Sequence, residues 1–180
     1  MTRSQSLTIY AFLIIIIGIL VFSLSFRPSE AIQYLVGFGM LTAAVFSGIT
    51  SYKCKFLDVP FSYHLLHSIG YTVYGIIILF YATSNDKFLH ATSFFLLYYA
   101  ISEMIFCFQL AMLKRDNINF KTAIYRLIIG FIIAIGSFFI ITIALTNQRE
   151  SLLASGIVFV FCGINLLLFR TVLKNVQIPI

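Results

Sequence analysis

Six long apolar runs dominate the sequence, and each is long enough to cross a lipid bilayer. About 20 helical residues, rising about 1.5 Å each, span a hydrocarbon core that is about 30 Å thick. The runs are Leu7–Phe26, Ala31–Tyr52, Phe61–Thr83, Phe88–Leu113, Phe120–Thr146 and Ser151–Leu173. The sequence therefore predicts an all-α fold, a bundle of six transmembrane helices that forms a single transmembrane domain over residues 1–180.

The composition excludes an ordinary soluble domain and argues against nucleic-acid binding. The chain is 61% hydrophobic and only 10% charged, whereas soluble domains carry about 25% charged residues. Its net charge is +6, but the basic residues are scattered among apolar runs and form no stripe that could follow phosphates. The predicted partner is thus the lipid bilayer, with no nucleic acid.

The distribution of Lys and Arg predicts the orientation of the chain in the membrane. Basic residues accumulate in cytoplasmic loops of membrane proteins. The N-terminal tail, the second and fourth loops and the C-terminal end hold Arg3, Lys53, Lys55, Lys114, Arg115, Lys121, Arg126, Arg170 and Lys174. The opposite side holds only Arg27, Lys87 and Arg149. Both termini are therefore expected in the cytoplasm, and the predicted location is a bacterial inner (plasma) membrane.

The predicted outer turns indicate a repeat of two-helix hairpins. Each turn combines one base with one acid, which could form a weak ion pair: Arg27 with Glu30, Lys87 with Asp86, and Arg149 with Glu150. The segment Gly18-Ile19-Leu20 is matched by Gly75-Ile76-Ile77, and Gly136 falls near the same place in the fifth helix. We therefore expect three hairpins, at 7–52, 61–113 and 120–173, related as parallel repeats.

Small residues in these helices are the predicted packing positions. Between helices in lipid there is little hydrophobic driving force, so association depends on close backbone approach. Gly39, Ala43 and Ser47 lie at i, i+4 and i+8 on one helix face. With Gly18, Gly75 and Gly136, they form the set expected at helix contacts.

A segment that runs from Gly18 through Arg27 to Pro28 is followed by a helix that contains Gly37, Gly39 and Gly48. With this segment the sequence resembles, over nearly the whole chain, the HdeD family of bacterial acid-resistance membrane proteins. That family is similarly built from three two-helix repeats, with glycines before a proline-containing outer turn. The resemblance implies an inner-membrane protein linked to acid stress and carries no catalytic residues over.

Ionisable and polar side chains within the spans form the candidate site. A charged group at membrane depth is costly, so each needs a partner or a function. Glu103 lies near mid-span, and His67, Tyr71 and Arg126 lie in the same predicted half of the membrane. Glu103 could be a neutral or Tyr-bonded packing residue, or it could respond to protons or contact a substrate. Arg126 could extend to the headgroups or pair with Glu103.

No sequence motif points to catalysis, a metal or a cofactor. His64 and His67 have helical spacing that could offer two imidazoles to a metal, but no third ligand stands nearby, and interfacial histidines are the favoured interpretation. We therefore expect no metal, no cofactor and no enzyme. The predicted function is a structural or interaction role in acid or envelope stress tolerance, with a second copy or another membrane protein as partner. The alternative is a small transporter or proton-linked permeation protein using Glu103, His67 and Arg126.

Overall fold

The described part of the chain is all-α. The computed structural model describes residues 2–56, 58–112, 120–143 and 147–175. Its six helices are α1 (Arg3–Leu24), α2 (Glu30–Lys53), α3 (Asp58–Phe80), α4 (Asn85–Met112), α5 (Phe120–Ile143) and α6 (Gln148–Asn175). The predicted span ends Leu113 and Thr146, and the basic residues Lys114 and Arg115, lie outside the described residues.

Five of these helices, all but α5, are long and apolar enough to cross a membrane. The described apolar stretch of α5 is shorter and runs from Ile124 to Ile140. The structure thus agrees with the predicted class of helical membrane protein.

Local hydrogen bonds explain where some helices begin. Thr2 and Gln5 form a capping box at α1: the Gln5 N–H donates to Thr2 Oγ1 at 3.2 Å, and the Thr2 N–H donates to Gln5 Oε1 at 2.6 Å. Asn147 performs a similar role at α6, where its Oδ1 accepts from the Glu150 N–H at 3.3 Å. These contacts satisfy backbone donors that the first helical turn leaves without partners.

The helices form a closed ring in chain order. Each helix packs against the next one in the sequence, and α1 packs extensively against α6 to close the ring. Large apolar side chains on the outside remain exposed, as expected for a lipid-facing surface, among them Phe12, Ile16, Phe38 and Ile135. The interior contains aliphatic and aromatic side chains together with buried polar ones, among them His64, Glu103 and Arg126.

Small residues mediate the closest helix contacts. A Cβ built at Gly18 would lie 2.8 Å from the Gly156 carbonyl oxygen, and one at Gly75 would lie 3.0 Å from that of Gly37. Gly39 and Gly136 are also crowded: a Cβ at Gly39 would lie 3.2 Å from Ile17 side-chain atoms, and one at Gly136 would lie 3.2 Å from the side chain of Val158. Ala43 and Ser47 are fully buried, and Ser47 Oγ donates to the His64 carbonyl oxygen at 2.9 Å.

The prediction of ion pairs in the outer turns is wrong. Arg27, Lys87 and Arg149 form no salt bridge with an acidic side chain of the described residues. Lys87 Nζ lies 5.0 Å from the centroid of the Tyr81 ring, and the Arg149 guanidinium carbon lies 5.4 Å from that of Phe26. The face of an aromatic ring attracts a cation, so these two side chains contact aromatic rings in place of the acidic partners that were expected.

Candidate functional site

A buried ion pair between α4 and α5 forms the centre of the candidate site. Arg126 Nη2 donates to Glu103 Oε2 at 2.7 Å, and both residues have 0% relative exposure. The Tyr63 hydroxyl bridges the pair, because it accepts from Arg126 Nη2 at 2.6 Å and donates to Glu103 Oε1. Three helices are thereby joined through one carboxylate, one guanidinium and one phenol.

The Arg126 guanidinium lies over the rings of two phenylalanines. Its central carbon lies 4.6 Å from the ring centroids of both Phe106 and Phe169, and 5.0 Å from that of Tyr63. Arg126 Nε and Nη1 have no hydrogen-bond partner in the described structure, although both atoms are buried. The attraction of a cation to aromatic faces offsets part of this loss.

His67 connects the ion pair to a second group of hydroxyls. His67 Nε2 lies 3.8 Å from Glu103 Oε1 and 3.2 Å from Ser102 Oγ. On the other side of the imidazole, the Tyr71 hydroxyl lies 3.4 Å from Nδ1. Glu103, His67, Arg126 and Tyr71, the four residues of the predicted cluster, therefore lie in one buried network, with Tyr71 reaching the carboxylate only through His67.

A neighbouring contact links α3 to α1. His64 Nδ1 lies 2.8 Å from the Tyr10 hydroxyl, and both side chains are fully buried. The His64 ring also lies near Phe169, with 5.5 Å between the ring centroids. His64 Nε2 and both amide atoms of Asn165, one helical turn before Phe169, are buried without hydrogen-bond partners in the described structure.

Helical spacing explains why α3 and α4 supply most of the network. Tyr63, His67 and Tyr71 recur every fourth residue and share one face of α3. Tyr99 and Glu103 are similarly spaced on α4. These faces point inward, whereas apolar side chains on the opposite faces, such as Ile69 and Val73 of α3 and Ile101 and Ile105 of α4, are exposed on the outside of the ring.

One interpretation of the sequence is wrong at this site. Arg126 does not extend towards the headgroups, because its side chain is fully buried and lies between Glu103 and the surrounding rings. The side chains of His64 and His67 are enclosed within the bundle and not open to water, with relative exposures of 0% and 1%. Both imidazoles contact hydroxyls instead, and in the described part of the chain no group of three potential ligands could hold a metal ion.

Tyr63 is the important residue that sequence reasoning missed. It lies four residues before His67, so helical periodicity could have placed it on the same face. What the sequence lacked was the pairing of this face with Arg126, which is 63 residues away in the chain.

The geometry favours a structural contact over a catalytic one. Ser102 and His67 resemble a nucleophile and base, but Ser102 Oγ donates to the Tyr99 carbonyl oxygen at 2.7 Å. Glu103 lies on the same imidazole nitrogen as Ser102, so it cannot orient the ring from the opposite nitrogen as the acid of a catalytic triad does. The arrangement is that of a buried hydrogen-bonded network, in which some polar atoms of Arg126, His64 and Asn165 have no partner in the described structure.

Comparison of the chain with models of protein families, with curated proteins and with solved structures finds no match.

Proposed function

We propose that this chain is a non-enzymatic, multi-pass protein of a bacterial inner membrane with a structural or interaction role in acid or envelope stress tolerance. The observation that carries the proposal is the Glu103–Arg126 pair, which is bridged by Tyr63 and fully buried. A transport site needs a charged group that water or a substrate can reach. A buried pair with its own hydrogen-bond partners instead holds helices together.

The proposed topology has α5 as the sixth span and both termini in the cytoplasm. The excess of Lys and Arg at one end of the bundle supports this orientation. Three hairpins, α1–α2, α3–α4 and α5–α6, are the proposed repeats. The glycine contacts support these repeats. Gly37 of α2 contacts Gly75 of α3, and Gly156 of α6 contacts Gly18 of α1. In both contacts the second helix of one hairpin packs on the first helix of another.

The link to stress tolerance rests on the resemblance of the sequence to the HdeD family. A closed ring of helices with its carboxylate buried against Arg126 suits a structural role in a membrane at low external pH, because Glu103 is not exposed to solvent in the described structure. Partners would be a second copy or another membrane protein. The small-residue stripe of α2 is occupied inside the chain, so such a partner would contact the outer apolar surface instead.

A survival experiment tests this proposal. A strain that lacks the gene is exposed to acid or to envelope stress and is complemented with the wild type or with Glu103→Gln/Arg126→Met. The double variant removes both charges but keeps similar side-chain volumes, so the fold is expected to persist. A structural role predicts that the double variant restores survival to the wild-type level, provided that membrane fractions contain equal amounts of protein.

Two outcomes would contradict the proposal. If the deletion strain survives as well as its parent under both stresses, the role in stress tolerance is wrong. If the double variant is present and folded but does not restore survival, the charges themselves are required. Proton flux into proteoliposomes that the wild type supports and the double variant does not would then establish the proton-linked alternative through Glu103, His67 and Arg126.

A further inference from the structure

The lipid-facing side of the seam between α1 and α6 carries two cavities. The first, of about 430 Å³, lies at the end of the bundle where α1 begins and is lined by Gln5, Thr8, Ile9 and Arg170. The second, of about 260 Å³, lies further along the same seam and is apolar, and its lining residues are Ile19, Phe22, Gly156, Ile157, Val160 and Phe161. One seam thus combines a polar, cationic end with an apolar continuation.

Arg170 lies at the polar end of the seam, where one nitrogen of its guanidinium makes a hydrogen bond. Its Nε donates to Ser4 Oγ at 3.0 Å, which fixes the side chain against the start of α1. The terminal nitrogens of Arg170 make no hydrogen bond to any described residue, and no acidic side chain of the described residues lines the cavity. A half-buried cation that has no counter-charge among the described residues, beside the polar side chains of Gln5 and Thr8, is suited to bind a phosphate group.

The length of the seam matches one leaflet of the bilayer. Ile9 in the first cavity and Ile19 in the second are ten residues apart on α1, which corresponds to about 15 Å of helix. That is half of a hydrocarbon core of about 30 Å. Between the cavities the seam is bordered by the exposed apolar side chains of Phe12, Ile16 and Ile164.

The glycine contact between α1 and α6 explains the shape of the second cavity. A Cβ built at Gly156 would lie 2.7 Å from the Gly18 carbonyl oxygen, so the two backbones touch there. Gly156 lines the cavity without a side chain to fill it, while Ile157 and Phe161 rise beside it. The close approach therefore leaves an apolar groove on the outer surface.

We propose that the α1–α6 seam binds one anionic phospholipid. Its phosphate would lie at Arg170, and one acyl chain would run along the seam to the cavity beside Gly156. Basic pockets between membrane helices are suited to anionic headgroups, and the apolar groove adds a surface for the chain. This inference does not depend on the proposed role in stress tolerance.

Native mass spectrometry of the purified full chain in detergent tests the proposal. Phosphatidylglycerol and phosphatidylcholine with identical acyl chains are added in turn, and the fraction of protein with one bound lipid is measured. One basic side chain near the surface predicts a preference of about fivefold for phosphatidylglycerol. Arg170→Gln is expected to abolish this preference. The matched control Arg149→Gln removes an exposed arginine at the other end of the bundle and is expected to retain it.

A second variant and a competitor separate the remaining explanations. Ile157→Trp fills the apolar cavity, leaves Arg170 intact, and is expected to lower binding of both lipids. Glycerol 3-phosphate, which has the phosphate but no acyl chains, is expected not to displace the lipid. The proposal is overturned if Arg149→Gln and Arg170→Gln reduce the preference equally, if the wild type shows no preference, if Ile157→Trp leaves binding unchanged, or if glycerol 3-phosphate displaces the lipid.

Discussion

Removing one charge of the buried pair should destabilise this protein far more than removing both. Arg126→Met keeps most of the side-chain stem but leaves Glu103 buried, with the Tyr63 hydroxyl as its one hydrogen-bond donor among the described residues and His67 Nε2 3.8 Å away. Because both charges have 0% relative exposure, water cannot screen the remaining carboxylate. An uncompensated buried charge costs about 3–5 kcal/mol, so we expect each of Arg126→Met and Glu103→Gln to lower the free energy of unfolding by about that amount.

The double variant Glu103→Gln/Arg126→Met should recover most of this loss. With neither charge present, the desolvation cost of the pair disappears, and the two side chains still fill the space between α4 and α5. We expect the double variant to lie about 1 kcal/mol below the wild type, since only hydrogen bonds of ordinary strength are lost. The two substitutions should therefore be strongly non-additive, as expected for residues in direct contact.

Unfolding in mixed micelles with increasing dodecyl sulfate measures these free energies. The chain contains no tryptophan, so loss of helix is followed by far-ultraviolet circular dichroism. The control Arg149→Met removes an exposed cation at the bundle end and should change the unfolding free energy by less than about 1 kcal/mol. Single variants that cost less than about 1 kcal/mol, or a double variant that equals the sum of the singles, would refute the reasoning.

Three further predictions concern single positions. Tyr63→Phe removes the hydroxyl that bridges the ion pair, and the same unfolding assay should show a loss of about 1–3 kcal/mol. Gly156→Ala places a methyl group against backbone atoms of α1, so it should lower the free energy of unfolding by about 1–3 kcal/mol. In the control Gly130→Ala the new methyl group would lie 3.4 Å from its nearest neighbour, so this variant should be as stable as the wild type or more stable. Cys54 follows α2, and burial raises the pKa of its thiol. At pH 7 maleimide should therefore modify Cys54 far more slowly than a cysteine introduced at the exposed position Phe56. The rate of Cys54 modification should increase as the pH rises, because the thiolate is the reactive form.

Each of these has an outcome that would contradict it. A Tyr63→Phe variant as stable as the wild type would mean that the phenol does not support the ion pair. Equal effects of alanine at Gly156 and Gly130 would contradict the close contact between α1 and α6. Rapid labelling of Cys54 in the folded protein would contradict its burial, and the same reagent after unfolding in dodecyl sulfate gives the reference rate.

The class of this protein could be predicted because it depends on local properties of the chain. A run of about 20 apolar residues is stable in lipid only as a helix, whose backbone hydrogen bonds are satisfied within the segment. That requirement does not depend on which helices later meet. The expected helices therefore agree with α1 to α6 to within a few residues at the described ends, and five of them are apolar and long enough to cross a membrane.

The partners of the polar side chains could be decided only by the tertiary structure. Arg126 has the same helical neighbours whether it extends to the headgroups or turns inward, and the choice depends on Glu103 and Tyr63, which lie on two other helices. In the same way, the sequence gives the positions of the histidines along α3 but not the side chains that face them. Helix formation in lipid follows from each segment alone, whereas the satisfaction of a buried charge depends on atoms that only packing brings together.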